Sequence, residues 1–93
     1  MLKISLSKPS AKFIQSLPPK QGKQIDRKLT QLALSPIAAD SKYLKGYTDL
    51  LRADSGEYRI IYRIDVPKNI LMVLAVGKRN DGEVYKKFKR MMD

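Results

Sequence analysis

Hydrophobic and polar residues alternate with two different periods in the first third of this 93-residue chain. Residues 2–6 alternate with a period of two, which predicts a short strand with one buried face. Apolar residues then recur at helical spacing within residues 9–17, which end at Pro18-Pro19, and within residues 20–34, which end before Pro36. The chain therefore opens with a strand followed by two helices.

The middle of the chain changes from helical to extended patterns. Residues 37–49 show no sustained period and predict a connector. Residues 50–53 and 57–65 have the composition of two strands, and the turn-forming residues 54–56 between them predict a hairpin.

The last third of the chain supplies one more strand and one more helix. Residues 70–76 are almost wholly apolar, as in a central strand covered on both faces, and residues 83–92 predict a short basic helix. We expect a single α+β domain spanning residues 1–93. It has a mostly antiparallel sheet of about four strands, with the two N-terminal helices and the short C-terminal helix gathered on one face.

Composition points to a polyanionic partner. The formal net charge is +10 and the sequence pI is about 10.0, which makes nucleic acid the leading ligand class. The chain contains no cysteine and no histidine, so we expect no disulfide, no metal site and no cofactor. It has no apolar run of 18 residues, so we expect a cytoplasmic protein without a membrane span.

Basic residues from separate segments of the predicted sheet form the most informative cluster. Arg52 and Arg59 lie on the two strands of the hairpin, while Lys78 and Arg79 follow the last strand. Guanidinium groups match phosphate oxygens two at a time, and fixed cations stabilise the charge that develops in phosphoryl transfer. Tyr85 is the candidate for proton exchange, since neighbouring cations favour its phenolate form.

This chemistry favours RNA over DNA, because the ribose 2′-hydroxyl is an internal nucleophile next to the phosphorus. Simpler interpretations stay open at the same positions. Arg59 and Arg63 fit solvent-facing strand residues, and Tyr85 fits a packing residue. The charged helix end at residues 86–90 fits either a solvated face or a surface that attracts phosphates.

Three motifs resemble a known family. The motifs are Gly-Glu-Tyr-Arg-Ile-Ile-Tyr-Arg-Ile at 56–64, Val-Gly-Lys-Arg at 76–79 and Glu-Val-Tyr at 83–85. Together they look like the C-terminal half of RelE-type toxins of bacterial toxin–antitoxin pairs. The first motif is shared across the RelE/ParE superfamily and indicates the fold. The arginine followed six residues later by tyrosine resembles the branch that cleaves messenger RNA on the ribosome, without a metal.

That resemblance implies a reaction in which a ribose 2′-hydroxyl attacks the adjacent phosphate. It assigns catalytic roles to Arg52, Arg59, Arg79 and Tyr85. Together with the basic charge of the C-terminal helix, it leads us to expect RNA-binding residues at Lys45, Lys78, Lys86, Lys87, Lys89 and Arg90. Leu50 and Asp54 depart from the family pattern, where basic residues are common.

The implied partners are a cognate antitoxin, the ribosome and messenger RNA, with promoter DNA contacted only through the antitoxin complex. Two alternatives share the same sequence features. A ParE-like gyrase poison would have the same fold, and a non-catalytic nucleic-acid-binding module would have the same charge.

Overall fold

The structure is a computed structural model that describes residues 1–38, 40–79 and 82–92; at Glu83, Lys87 and 90–92 only the backbone is described. The chain forms, in order, β1 (Lys3–Leu6), α1 (Lys8–Ser16), α2 (Pro19–Leu34), β2 (Lys42–Tyr43), β3 (Leu51–Ser55), β4 (Tyr58–Asp65), β5 (Ile70–Lys78) and α3 (Glu83–Met92).

Local sequence explains the two N-terminal helices. The Ser7 side chain accepts a hydrogen bond from the Ser10 backbone N–H at 3.2 Å and caps α1, and Pro9 occupies the first turn, where no N–H is needed. The apolar face predicted for α2 is buried against the sheet; it consists of Ile25, Leu29, Leu32 and Ala33. The prediction of these two helices is confirmed.

The sheet contains five strands in the order β1-β5-β4-β3-β2. Its fifth member is the two-residue strand β2, which pairs with β3 inside the segment predicted as a connector. Only the β1–β5 pair is parallel. The expected buried face of β1 is wrong, since Ile4 and Leu6 are each 38% exposed on this edge strand.

The central hairpin is longer than predicted. Asp54 and Ser55 belong to β3 and pair with Arg59 and Tyr58, so the turn is reduced to two residues, Gly56 and Glu57. Gly56 has φ +59°, the left-handed conformation that tight hairpin turns require at this position. Asp54 is therefore a strand residue with a defined face.

Helices cover both faces of the sheet, and the prediction that all three lie on one face is wrong. The larger apolar cluster joins α1 and α2 to one face, which includes Tyr58, Ile60 and Tyr62. The smaller cluster joins α3 to the opposite face, where Ile61 and Ala75 contact its buried residues. Neighbouring strand residues point to opposite faces, so the apolar residues on the second face need α3 as their cover.

Candidate functional site

The strand register places the hairpin's charged residues on the face that α3 covers. Asp54 on β3 lies directly opposite Arg59 on β4, and Arg52 lies directly opposite Ile61. Ile61 packs in the α3 cluster, and side chains two residues apart on a strand share a face. Arg52, Asp54 and Arg59 therefore start on the same side of the sheet.

Arg59 is held by two partners at once. Its Nε donates to Asp54 Oδ1 at 2.7 Å and its Nη2 donates to Oδ2 at 3.3 Å, a two-point ion pair. Its Nη1 donates to the hydroxyl oxygen of Tyr85 at 2.7 Å. Because three of its nitrogens are engaged, Arg59 has a fixed orientation between β3 and α3.

Arg79 shares the same carboxylate. Its Nη1 donates to Asp54 Oδ2 at 3.1 Å, and its backbone N–H donates to the Glu57 carbonyl at 3.0 Å. The Arg79 side chain is 45% exposed, whereas that of Arg59 is 17% exposed. We call Asp54, Arg59, Arg79 and Tyr85 the Asp54 cluster. Within it, Arg79 is the more exposed arginine, and among the described residues fewer of its donors are engaged than those of Arg59.

The ionisation of the Asp54 cluster follows from these bonds. Hydrogen bonding from Arg59, together with the charges of Arg59 and Arg79, holds the pKa of Asp54 below its usual value, against the opposing effect of burial. The hydrogen bond to Asp54 also raises the pKa of Arg59. Asp54 is thus an ionised carboxylate near neutral pH, and a poor proton acceptor.

A close backbone approach brings Tyr85 to the cluster. Val84 and Phe88 bury the apolar face of α3 against the sheet. A Cβ added at Gly77 would lie 3.0 Å from both the N and Cα atoms of Val84, closer than side-chain carbons normally approach. The absence of a side chain at Gly77 therefore lets α3 pack near enough for Tyr85 to reach Arg59.

A cavity of about 470 Å³ lies beside the Asp54 cluster, and Tyr85 lines it. We call it the Tyr47 cavity. Its other lining side chains combine apolar groups with cations and include Leu44, Lys45, Tyr47, Arg52, Phe88 and Lys89. Arg52 thus reaches the same region as the Asp54 cluster through a shared cavity. A surface with these properties can hold a phosphate and the nucleotide attached to it.

The residues expected to bind RNA are distributed unevenly. Lys45 and Lys89 line the Tyr47 cavity, and Lys86 is exposed on α3. Lys78 pairs with Tyr58 on the face covered by α1 and α2, so the structure does not bring it to the Asp54 cluster. The side chains of Lys87 and Arg90 lie outside the described residues.

Asp54 and Tyr47 were not among the predicted site residues. Asp54 has the composition of a turn residue, and only the hairpin register shows that it faces two arginines. Tyr47 lies in a segment without a period, and the only signal for it in the sequence is an aromatic residue two positions after Lys45. Both positions depend on contacts between distant segments.

The chain belongs to a known class of proteins, the toxins of type II toxin–antitoxin systems. A family model described as "ParE toxin of type II toxin-antitoxin system, parDE" matches residues 6–82. The chain therefore belongs to the ParE toxin family, within the RelE/ParE superfamily, and the resemblance found in its motifs is confirmed.

Several of the proteins that this chain resembles are RelE toxins. The chain is 34% identical over 64 residues to the mRNA interferase toxin RelE of Escherichia coli K12. The matched segment covers 67% of this chain and 66% of the relative, which is just under two thirds of the relative's length. The archaeal RelE–RelB complex from Pyrococcus horikoshii contains a chain with a TM-score of 0.73 and 26% identity, covering 84% of this chain and 94% of that one.

The RelBE toxin–antitoxin complex of E. coli gives a similar match, with a TM-score of 0.72 and 26% identity. It covers 84% of this chain and 96% of the matched one. These likenesses confirm the expected RelE-like α+β fold. Across residues 1–38, 40–79 and 82–92, no helix combines the length and the apolar character needed to cross a membrane.

Proposed function

We propose that this toxin is a ribosome-dependent endoribonuclease that cleaves messenger RNA by attack of a ribose 2′-hydroxyl on the adjacent phosphate. The observation that carries the proposal is the meeting of Arg59 from β4, Arg79 just after β5 and Tyr85 from α3. The two arginines bond to one carboxylate, and Tyr85 bonds to Arg59. The similarity to an mRNA interferase supports the same activity.

Arg79 is the residue that first binds the scissile phosphate. It is the more exposed arginine of the cluster, and among the described residues its side chain has one hydrogen-bonded partner, Asp54, which leaves other N–H groups for a ligand. Arg52 approaches from the Tyr47 cavity and adds a second cation. Two cations around the non-bridging oxygens stabilise the additional charge of the transition state without a metal.

Tyr85 transfers a proton. As the 2′-oxygen bonds to phosphorus, the 5′-oxygen leaves, so the 2′-hydroxyl loses a proton and the 5′-oxygen gains one. The Tyr85 oxygen accepts a hydrogen bond from Arg59, so its own O–H proton can pass to the leaving 5′-oxygen. The proton of the 2′-hydroxyl passes to a water molecule, and the resulting Tyr85 phenolate is reprotonated from solvent. The products are a 2′,3′-cyclic phosphate and a 5′-hydroxyl.

Asp54 positions the two arginines. Its two-point pair with Arg59 fixes the guanidinium that orients Tyr85, and its second bond holds Arg79 at the edge of the cluster. Since Asp54 is ionised, it also competes with the substrate phosphate for Arg79. We infer that binding of RNA replaces the bond between Arg79 and Asp54, while Arg59 stays attached.

A cognate antitoxin is the proposed physiological partner. The similar RelE chains from P. horikoshii and E. coli were solved in complexes with RelB. The net charge of +10 suits an acidic inhibitory segment that covers the cations of the site or displaces α3 with Tyr85. In this proposal promoter DNA is contacted only through the antitoxin.

A gyrase poison is the second candidate, because the family model that matches the chain is that of ParE toxins. The Arg59–Tyr85 hydrogen bond favours the nuclease, since a protein that only traps another enzyme needs no proton-transfer group held beside two arginines. A non-catalytic nucleic-acid binder would likewise have no use for Tyr85 in this position.

Primer extension on a translated message after induction of the toxin tests the proposal, with a parallel reaction on the purified message with and without ribosomes. We expect cuts inside translated regions, cuts in vitro only when ribosomes are present, and 5′-hydroxyl ends. Arrested growth with intact messages would overturn the proposal, and DNA breaks would support the gyrase alternative.

Arg79→Ala and Arg63→Ala form a matched pair for this experiment. Arg63 lies on the same strand and face as Arg59 but four residues further along, next to Met72 of β5. We expect Arg79→Ala to abolish the cuts and Arg63→Ala to retain them. Equal loss in both folded variants would indicate that general charge, and no particular site, is what matters.

A further inference from the structure

Apart from Arg52 and Tyr85, the side chains that line the Tyr47 cavity have no role in the proposed chemistry at the scissile phosphate, although the cavity adjoins that site. Tyr85 belongs to both, since its hydroxyl contacts Arg59 and it lines the cavity. A polynucleotide with one phosphate at the Asp54 cluster must therefore place its neighbouring nucleotide in or beside the Tyr47 cavity. The residues that line the Tyr47 cavity indicate which part of the nucleotide it can bind.

Tyr47 presents an aromatic ring that is held in place. The ring is 42% exposed, yet it packs edge-to-face on Phe88, with the ring centroids 5.6 Å apart and the planes at 82°. The backbone N–H of Tyr47 donates to the Leu44 carbonyl at 3.1 Å and closes a tight turn beneath the ring. A ring fixed from two sides loses little entropy when a planar ligand stacks on it.

The rest of the lining supplies an apolar base and a cationic rim. Leu44 and Phe88 are buried side chains, and Lys45, Arg52 and Lys89 provide three positive charges. Exposed aromatic rings among cations are the features with which proteins bind unpaired bases and their phosphates. The volume of about 470 Å³ falls within the range of small-ligand sites, about 300–1,000 Å³.

Tyr43 also lines the cavity but belongs to a different environment. It pairs with Leu51, whose side chain packs in the cluster of α1 and α2. Strand neighbours in direct register share a face, so the Tyr43 ring starts on the far side of the sheet. Of these two tyrosines, Tyr47 is therefore the one whose ring lies on the α3 side, where it packs on Phe88.

We propose that the Tyr47 cavity is a nucleotide subsite, in which the base next to the scissile phosphate stacks on Tyr47 and its own phosphate lies at the cationic rim, beside Lys45 and Lys89. This inference rests on the proposed RNA cleavage. The antitoxin is the competing occupant. The shared residue Tyr85 favours RNA, because it places the cavity one nucleotide from the reacting phosphate.

Tyr47→Leu and Tyr47→Phe separate stacking from packing. Leucine keeps an apolar contact with Phe88 but has no aromatic face, and phenylalanine keeps the face and lacks only the hydroxyl. Binding is measured on ribosomes with a vacant decoding site, programmed with a message that carries a 2′-methoxy group at the cleavage point so that it is not cut. A second message has an abasic ribose at the nucleotide beside that point, tested separately on the 5′ and the 3′ side.

We expect Tyr47→Phe to bind the intact message like the wild type and Tyr47→Leu to bind it about ten-fold more weakly, a typical value for one stacked base. On one of the two abasic messages, the wild type should bind about ten-fold more weakly than on the intact message. Tyr47→Leu should bind that abasic message as well as it binds the intact one. If Tyr47→Leu binds the intact message as well as the wild type does, or loses a further factor on both abasic messages, the subsite is wrong.

The wild type and Tyr47→Phe on the abasic messages decide the question even if Tyr47→Leu fails to fold: equal binding to intact and abasic messages overturns the subsite. Normal RNA binding by Tyr47→Leu with lost antitoxin binding also overturns it and assigns the cavity to the antitoxin. Failure of the proposed function looks different, because the wild type would then leave an unmodified message uncut. Stacking without cleavage would keep the subsite and reject the nuclease.

Discussion

Arg59 Nη1 donates a hydrogen bond to the hydroxyl oxygen of Tyr85 over 2.7 Å, joining the central hairpin to the C-terminal helix. The guanidinium carbon also lies 5.8 Å from the centre of the Tyr85 ring. One arginine therefore both orients the ring and polarises the oxygen of the proposed proton donor. The predictions below follow from this contact and from the carboxylate behind it.

Tyr85→Phe should remove cleavage while preserving the fold. The phenyl ring keeps its place beside Phe88 and over Arg59, and only the transferable proton is lost. We expect the rate of cleavage on ribosomes to fall by about 10²–10⁴-fold, the usual contribution of a general acid or base. Single-turnover cleavage and ribosome binding are measured together, and weaker binding with an unchanged rate would contradict the assigned role.

Asp54→Asn should loosen the structure and tighten RNA binding. Loss of the negative charge weakens both arginine contacts, at a cost to stability of about 1 kcal/mol for partly exposed ion pairs. The same change removes the anion that competes with phosphate for Arg79. Thermal unfolding and RNA affinity at several salt concentrations are the measurements. Asn in place of Asp26, which is exposed on α2, is the matched control and should leave RNA affinity almost unchanged.

The contribution of Asp54 should depend on pH in a defined direction. Its pKa in the folded protein lies below the ordinary value of 3.8, so the unfolded chain takes up the proton first as the pH falls. The stabilisation is complete above 3.8 and is lost as the pH falls through the lower, folded value. Denaturant unfolding of the wild type and Asp54→Asn from pH 7 to pH 2 should give two curves that converge at the acid end. A constant difference would show that the charge of Asp54 is not what stabilises the fold.

Gly77→Ala should move Tyr85 away from Arg59, although Gly77 itself is not part of the Asp54 cluster. The new methyl group would meet the Val84 backbone at 3.0 Å, so α3 has to shift outward. We expect a loss of about 1–3 kcal/mol, typical of overpacking, and a loss of cleavage through separation of Tyr85 from Arg59. Ala75 lies on the same strand and is buried in the same cluster, which makes Ala75→Gly a control that weakens packing without pushing α3 away. Cleavage retained in Gly77→Ala at wild-type rates would mean that the close approach has no bearing on activity.

Lys89→Ala should weaken RNA binding more than Lys12→Ala, although both remove one positive charge. Lys89 lines the Tyr47 cavity, whereas Lys12 is exposed on α1. Loss of one phosphate contact should lower the slope of log affinity against log salt by about 0.7 for single-stranded nucleic acid. Equal slopes for the two variants would indicate diffuse attraction without a contact at Lys89.

Much of the fold could be predicted from the sequence, because local patterns specify local elements. The spacing of Ile25, Leu29 and Leu32 and the two proline stops define α1 and α2, and the apolar residues 70–76 define the central strand. The position of α3 was wrong, although apolar residues on both faces of that strand already require a cover on each side.

The site was harder to predict, because its geometry depends on register. Arg59, Arg79 and Tyr85 were selected by type and spacing, and the structure brings them together. If the hairpin turn began two positions earlier, Asp54 would be a turn residue and not a strand residue. Turn propensity favours that earlier start, which is wrong. The predicted position of Lys78 beside Arg79 was wrong for a related reason. Lys78 is the last residue of β5, and a shift of one residue along a strand moves a side chain to the other face of the sheet.

The carboxylate of Asp54 also affects which anions can enter. To use the Arg79 donor that Asp54 already occupies, chloride, inorganic phosphate and free nucleotides have to displace a tethered carboxylate, and they have few other contacts to offset that loss. A long polymer anchored at several points can make the exchange. The toxin would thus bind the abundant small anions of a cell weakly and still bind a strand of messenger RNA.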